Sequence, residues 1–196
     1  GESESNLGRV LQELKADVLV GSKVQLAADE MDQIETAIVA AVEDSLRRLR
    51  RDRIDLMQLH NPIGLQRQPA RGWVTVADVE RALDAFASLQ AQGKIRFYGI
   101  NGLGESDAVH AAVALGRAHT IQSCYNLLNP SAGMAAPAGF PFQDYRQLID
   151  QAAVQGMGVI AIRVLAAGAL SGTTQRHPNA AQSVAPIASG SDLAEH

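Results

Sequence analysis

A single cysteine, Cys124, occurs among the 196 residues, and aromatic residues make up only 4% of the sequence. One cysteine cannot form an internal disulfide framework or a cysteine-rich metal site. The sequence also has no apolar stretch of membrane-spanning length and no signal-peptide pattern. These absences exclude a disulfide-rich secreted protein and a membrane partner, and we expect a soluble, cytoplasmic protein.

Basic residues do not outnumber acidic ones, and the formal net charge is −4. The densest basic run, Arg47-Arg48-Leu49-Arg50-Arg51, lies on a predicted helix, where such charges usually form a solvated face. We therefore predict no nucleic-acid partner. Hydrophobic residues make up 46% of the chain, which is enough for one sizeable core. We treat residues 1–196 as a single domain.

Short apolar strands alternate with amphipathic helices along most of the chain. The predicted strands are residues 17–24, 55–60, 95–100, 121–128 and 159–165. The first predicted helix has the apolar stripe Leu7, Val10, Leu11 and Leu14, with Ser3 or Ser5 as its N-cap, and the others are residues 31–51, 79–92, 107–118 and 145–155. Apolar residues at helical spacing in residues 31–51 and 79–92 predict the inner faces of these two helices. After Gly172 the pattern fades, and residues 178–196 are predicted as loop with one short helix. Alternating strands and helices predict a parallel sheet with right-handed crossovers.

Polar residues end each of the predicted strands. They are Lys23, His60, Asn101, Gln122 to Asn126, and Arg163. A doubly wound open sheet and a closed barrel both fit the alternation, but no Gly-x-Gly-x-x-Gly follows the first strand, which argues against a dinucleotide-binding Rossmann domain. Polar ends on consecutive strands favour a barrel, because its C-terminal face gathers residues from every strand.

Two of these strand-end residues carry chemistry. His60 ends a buried strand, since the following Asn61-Pro62 cannot continue the ladder. Its imidazole can exchange a proton near neutral pH, although a histidine that only caps the strand fits equally well. Lys23 lies among small residues, and a partly desolvated ammonium needs a carboxylate or a ligand. A structural ion pair and a ligand contact therefore both stay open for Lys23.

Five segments resemble the aldo-keto reductase family in order and spacing. They are Gly21-Ser22-Lys23-Val24, residues 55–60, residues 92–100, Gln122 with Tyr125-Asn126, and residues 165–172. The resemblance covers residues 1–172 and implies an α/β fold, a TIM (β/α)8 barrel that is incomplete here, with about five parallel strands and flanking helices. It implies an oxidoreductase that uses NADPH, with NADH as a second option, to interconvert a small-molecule carbonyl and an alcohol.

The resemblance also implies which residues are catalytic. Lys23 and His60 match the family's lysine and histidine. Residues 1–8 match the part of a family motif that follows the proton-donating tyrosine, which would precede Gly1, with the family's aspartate a few residues earlier. We therefore expect a fragment that covers barrel strands three to seven and is inactive by itself.

Cofactor contacts follow from the same resemblance. Asn101 and Gln122 match the polar residues that hold the nicotinamide carboxamide, whereas Gly102 replaces a second amide of the family. Arg163 takes the place of a residue near the pyrophosphate, where a positive charge suits the phosphates. Backbone amides for the pyrophosphate would come from Leu165, Ala167 and Gly168.

Two other functions fit parts of the pattern. One is a non-catalytic reductase-like barrel that acts as a cofactor-binding or scaffolding module. The other is an unrelated barrel lyase in which Lys23 forms a Schiff base. Loops 63–78 and 129–141 would shape the substrate pocket. The open barrel edges would also favour self-association, because unpaired strand edges pair readily with another chain.

Overall fold

The computed structural model describes residues 1–172, and the loop and short helix predicted for residues 178–196 lie outside this part of the chain. Five strands are present: β1 (Gly21–Val24), β2 (Ile54–Leu59), β3 (Ile95–Asn101), β4 (Thr120–Cys124) and β5 (Gly158–Ile162). The α-helices are α1 (Glu2–Leu14), α2 (Ile34–Leu49), α3 (Val76–Ala91), α4 (Ser106–Ala114) and α5 (Leu148–Val154). Short 3-10 helices cover Pro69–Arg71 and Ala166–Ser171.

The strands form one parallel sheet in the order β1-β2-β3-β4-β5. Each strand therefore pairs with the next one in the chain, which is the order of a barrel rather than of a doubly wound sheet. Within residues 1–172 the sheet ends at β1 on one side and at β5 on the other. The predicted parallel α/β fold with an incomplete barrel is confirmed.

One face of the sheet packs against the helices and forms the hydrophobic core. The predicted inner faces of α2 and α3 are buried there, and their fully enclosed members are Ile34, Ile38, Val42, Ala82, Leu83, Phe86 and Leu89. From the sheet come Met57, Leu59, Tyr98, Ile100 and Ile121. Because side chains alternate along a strand, the residues between these point to the opposite face, which becomes the inner wall of the barrel.

Helix α1 does not bury the side that its apolar residues predicted. Its apolar residues Leu7, Val10 and Leu14 are exposed, and its only buried residue is Gly8. A Cβ atom at Gly8 would lie 2.6 Å from the carbonyl oxygens of Arg48 and Leu49. The helix therefore approaches the end of α2 through a glycine, a contact that hydrophobic periodicity does not report. The serines expected as N-caps, at positions 3 and 5, lie inside the helix.

Several predicted boundaries were too long. The fourth strand ends at Cys124 because the Asn126 side chain accepts hydrogen bonds from the backbone N–H groups of Leu128 and Asn129, both at 2.9 Å, and turns the chain. The last helix begins only at Leu148, since the preceding Gln147 has a φ of 55°. No helix in residues 1–172 is both long enough and apolar enough to cross a membrane.

Candidate active site

Four of the five predicted site residues lie at or next to the carboxyl ends of their strands, and the fifth, Gln122, lies opposite Asn101 in the register. Lys23 is the third of four residues in β1, His60 directly follows β2, Asn101 ends β3, Gln122 is central in β4, and Arg163 directly follows β5. Since every pairing in the sheet is parallel, these ends gather on one side. The arrangement agrees with the sequence expectation, and the role of each residue stays a prediction.

Lys23 and His60 are neighbours on adjacent strands. Lys23 lies opposite Gln58 in the register, and the His60 N–H donates to the carbonyl oxygen of Val24 at 2.7 Å. Partial burial of the imidazole and, secondly, the positive charge of Lys23 hold the pKa of His60 below its ordinary value of 6.5. His60 is therefore neutral at neutral pH, and one ring nitrogen can donate a hydrogen bond while the other accepts.

Lys23 faces open space rather than an acidic partner. Among residues 1–172, no carboxylate lies within ion-pair distance of its ammonium group. A small cavity of about 190 Å³ adjoins it; its lining is Gly21, Ser22, Lys23, Leu56, Gln58, Gln122 and Ile160. The sequence left a structural ion pair and a ligand contact open for Lys23. The described part of the chain supplies no ion pair, so the Lys23 charge is available to a ligand.

The two residues predicted to hold a carboxamide are placed differently. The Gln122 side chain lines the cavity beside Lys23 and has no hydrogen-bond partner among residues 1–172. The Asn101 side chain already binds the protein: its Nδ2 donates to the His60 carbonyl oxygen at 2.8 Å, and its Oδ1 accepts from the Leu103 N–H at 3.0 Å. Asn101 therefore holds the backbone at His60, with one N–H and one lone pair left for another contact.

Position 102 has no room for a side chain, which explains why glycine replaces the family's second amide there. A Cβ atom at this position would collide with the carbonyl oxygen of Gln122. The same carbonyl accepts a hydrogen bond from the Gly102 N–H at 2.7 Å. The close approach of β3 to β4 here explains the glycine, and it leaves Gln122 as the amide that faces the cavity.

The segment after β5 shows a tight, irregular backbone. Arg163, Ala166 and Ala167 have positive φ angles, and the Arg163 carbonyl accepts from Nδ2 of Asn126 at 3.2 Å. The Gly168 N–H donates to the Leu165 carbonyl at 2.8 Å. The Gly168 amide is thus engaged within its own turn, whereas Arg163, which directly follows β5, is exposed.

All three tyrosines of the chain lie away from Lys23. Tyr98 is buried in the core, with its ring centroid 5.9 Å from that of Phe86. Tyr125 is partly exposed, and its ring packs against Gly133. Tyr145 is buried beside Cys124, and burial, together with this thiol, raises the pKa of its hydroxyl. Burial also raises the pKa of the Cys124 thiol, which lies in the hydrophobic core.

These features can be compared with known proteins. The sequence model of the Aldo/keto reductase family matches residues 1–187. The chain belongs to the aldo/keto reductase family. This aldo/keto reductase chain is 31% identical over 135 residues to the aldo-keto reductase YhdN of Bacillus subtilis. It is 29% identical over 109 residues to the uncharacterized oxidoreductase YqkF of the same bacterium.

Solved structures of this family share the fold at low identity. The holo form of the aldo-keto reductase AKR11C1 from Bacillus halodurans superposes with a TM-score of 0.62 at 23% identity. An aldo/keto reductase from Klebsiella pneumoniae in complex with NADP and acetate gives 0.60 at 22% identity. Each comparison covers 90% of this chain, and 50% and 53% of the respective solved chain.

The aldo/keto reductase chain is much shorter than its matched relatives. The aligned part of the chain spans 37% of YhdN, 32% of YqkF and about half of the solved structures. The shared region holds the fold elements that bring Lys23 and His60 together.

Proposed function

We propose that this chain carries the lysine–histidine half of an active site that interconverts a carbonyl and an alcohol with NAD(P)H. The observation that carries the proposal is the small cavity on the inner wall of the sheet, where the ammonium of Lys23 and the carboxamide of Gln122 have no partner within residues 1–172. His60 does not line this cavity, but its imidazole lies close enough to feel the charge of Lys23. NADP in the Klebsiella pneumoniae aldo/keto reductase supports the choice of cofactor.

The residues present fit a nicotinamide cofactor in part. Gln122 offers an amide with no partner among residues 1–172, and Arg163 offers a positive charge for the phosphates. Asn101 has spare hydrogen-bonding capacity, and Leu165 and Ala167 are proposed as amide donors to the pyrophosphate, with Gly168 already engaged in its turn. When bound, the cofactor would supply the hydrogen and the electron pair that reduce the carbonyl carbon.

The protein groups would act on the carbonyl oxygen. A neutral His60 can donate a hydrogen bond to that oxygen and orient the substrate. The Lys23 charge would stabilise negative charge that develops there. The loops that would shape the substrate pocket are residues 63–78 and 129–141, and the substrate is proposed only as a small carbonyl compound or alcohol.

A proton donor is the missing part of this site. None of the three tyrosines of the chain lies beside Lys23. Loss of one acid–base group typically costs on the order of 10²–10⁴ in rate. We therefore propose that the chain by itself binds NADPH and reduces an aldehyde at no more than trace rates, and that full activity needs a phenol supplied next to Lys23.

The test follows NADPH binding by fluorescence and the His60 imidazole signals by NMR, first with NADPH and then with an aromatic aldehyde. We expect NADPH to shift the His60 signals, Gln122→Ala to weaken binding, and Gln151→Ala on α5 to serve as the matched control. Aldehyde reduction is followed in parallel through NADPH absorbance. Robust turnover by the unmodified chain would contradict the need for an added donor, and no effect of NADPH on His60 would contradict the site.

A second function is a cofactor-binding or scaffolding module without turnover. The placement of all three tyrosines away from Lys23 favours it. Adding simple phenols as external proton donors separates the two, since turnover that is stimulated by phenol and lost in Lys23→Ala supports the reductase site. A Schiff-base lyase would instead yield a covalent adduct on Lys23 that borohydride traps and mass spectrometry detects.

A further inference from the structure

Asn61, the residue after His60, has a fully buried side chain that makes three hydrogen bonds to the backbone. Its Oδ1 accepts from the Leu26 N–H at 2.8 Å, and its Nδ2 donates to the Leu26 carbonyl at 3.0 Å. The second Nδ2 hydrogen is donated to the Gly72 carbonyl at 2.8 Å. Both amide hydrogens are therefore engaged.

These bonds continue the pairing of β1 with β2 past the ends of the two strands. The last backbone bond between the two segments runs from the His60 N–H to the Val24 carbonyl at 2.7 Å. Pro62 has no N–H group and cannot extend this ladder. The Asn61 carboxamide has the donor and acceptor of a peptide group, and it pairs with both polar groups of Leu26 in place of the missing backbone.

The third bond connects this edge to the loop after β2. Gly72 has a φ of 69° and ends the short helix Pro69–Arg71. The guanidinium of Arg71 lies 4.9 Å from the centroid of the Trp73 ring. The backbone of Trp73 pairs in both directions with Gln68, each bond being 3.1 Å. Asn61 thus ties an ordered loop to the same edge that holds Lys23 and His60.

We propose that Asn61 is a positioning residue that fixes the spacing of Lys23 and His60. It acts through the backbone: it sets the segment that follows Lys23 against the segment that contains His60, and it holds the loop beside both. Its meaning for catalysis rests on the proposed function, whereas its effect on the geometry of the two residues does not.

A first experiment uses the unmodified chain. Amide hydrogen exchange is measured for Leu26, whose N–H is bound within residues 1–172 by the Asn61 side chain alone, and for His60, whose N–H closes the ladder. We expect the two amides to exchange at comparable, slow rates. Exchange of the Leu26 amide at the rate of an unstructured peptide would overturn the proposal.

A second experiment compares Asn61→Ala with Asn129→Ala. Asn129 is a matched control, because it is 1% exposed and its side chain also makes three hydrogen bonds, to Ser131 (two) and Gln143, in the loop after β4. In Asn61→Ala we expect Leu26 amide exchange to speed up about tenfold or more, as loss of a buried hydrogen bond implies. The control should leave the Leu26 amide unchanged.

The His60 titration in the same variants provides a readout that a purely structural role would not move. His60 is already exposed but still partly desolvated. With Asn61 removed, this desolvation should lessen and Lys23 should be held less closely, so the pKa of His60 should rise toward its ordinary value. Asn129→Ala should leave the His60 titration as it is. An equal shift in both variants, or none in Asn61→Ala, would overturn the proposal.

A milder variant covers the case in which Asn61→Ala does not fold. Asn61→Ser keeps a polar group at the position but cannot span to Leu26 and Gly72 together, so it should show the same changes in smaller degree. None of these readouts uses turnover. Failure of NADPH to bind would therefore count against the proposed function, while the Leu26 and His60 measurements decide the role of Asn61.

Discussion

At the residue scale, the site depends on one charged and one neutral side chain on neighbouring strands. Lys23 is exposed and unpaired within residues 1–172, and His60 beside it is also exposed, although its imidazole is partly desolvated. A neutral imidazole beside a cation is suited to hydrogen bonding with an uncharged carbonyl group. The environment of His60 therefore determines the protonation state in which it would meet the proposed carbonyl compound.

Replacing Lys23 with methionine tests this coupling. The change keeps the aliphatic stem and removes the charge, so the pKa of His60 should rise toward 6.5, its ordinary value. The direction follows because a nearby cation disfavours protonation. The NMR chemical shifts of the His60 imidazole, measured against pH, give the midpoint of its titration. Lys94→Met, which removes a lysine paired with Glu43, is the control, and an unchanged His60 midpoint in Lys23→Met would contradict the coupling.

At the element scale, helix α1 supports the strand that carries Lys23. The Glu4 carboxylate accepts hydrogen bonds from the Ser22 hydroxyl on β1 and from Nε of Arg48 on α2. Burial disfavours the charged form of Glu4, but the hydrogen bonds from Ser22, Arg48 and Ser45 together outweigh this and lower its pKa to about 2. One carboxylate thus connects α1, β1 and α2 next to the site.

The Glu4 cluster predicts an acid-dependent loss of stability. Its folded-state pKa is lower than its ordinary value of 4.5, so its contribution is present above pH 4.5 and is lost as the pH falls toward 2. Glu4→Gln should lower the free energy of unfolding at neutral pH by about 1–3 kcal/mol and flatten the pH dependence in this window. Urea unfolding at several pH values measures both, with Glu13→Gln on the exposed side of α1 as the control. If the free energy of unfolding of Glu4→Gln depended on pH as steeply as that of the unmodified chain, the result would contradict this role.

Gly8 sets how closely α1 approaches α2. Alanine in a helix interior is usually favoured over glycine by about 1 kcal/mol, but a Cβ atom here would lie 2.6 Å from two backbone oxygens of α2. Overpacking of this kind costs about 1–3 kcal/mol. Gly8→Ala should therefore destabilise the chain in urea unfolding, whereas Gly158→Ala, whose nearest contact would be 3.5 Å, should change it little. A more stable Gly8→Ala would show that the helices separate freely.

At the scale of the whole molecule, the described sheet is an open arc. Its inner wall carries exposed apolar residues, among them Phe97 at 42% and Ile160 at 36% relative accessibility. A cavity of about 560 Å³ lies on this wall near the amino ends of the strands, beside Leu56, Phe97 and Thr120. Barrel closure couples strand number to tilt and diameter, so five strands do not close with the geometry of eight.

Self-association through this wall and its edges is the prediction at this scale. The double change Phe97→Ser and Ile160→Ser should reduce both association in sedimentation and the binding of a hydrophobic dye. Leu14→Ser, which alters an exposed leucine on α1, is the control. A monomeric unmodified chain with cooperative unfolding would contradict the prediction.

The sequence by itself determined the order of the elements and the edge on which the site lies. Alternating apolar runs and helical periodicity depend on local spacing, and in a parallel sheet the carboxyl ends of all strands must meet at one edge. Lys23, His60, Asn101, Gln122 and Arg163 could therefore be assigned to that edge before any coordinates were known. The segments shared with the aldo/keto reductases point to the same edge.

Only the tertiary structure decided what each polar side chain does there. Asn101 and Gln122 look alike in the sequence, yet one binds the backbone at His60 and the other faces the cavity unpaired. Asn61 has no sequence pattern that marks it, because its partners, Leu26 and Gly72, are distant in the chain. Hydrogen-bond partners and close backbone approaches, such as those at Gly8 and Gly102, depend on which segments meet in space, and local periodicity carries no information about them.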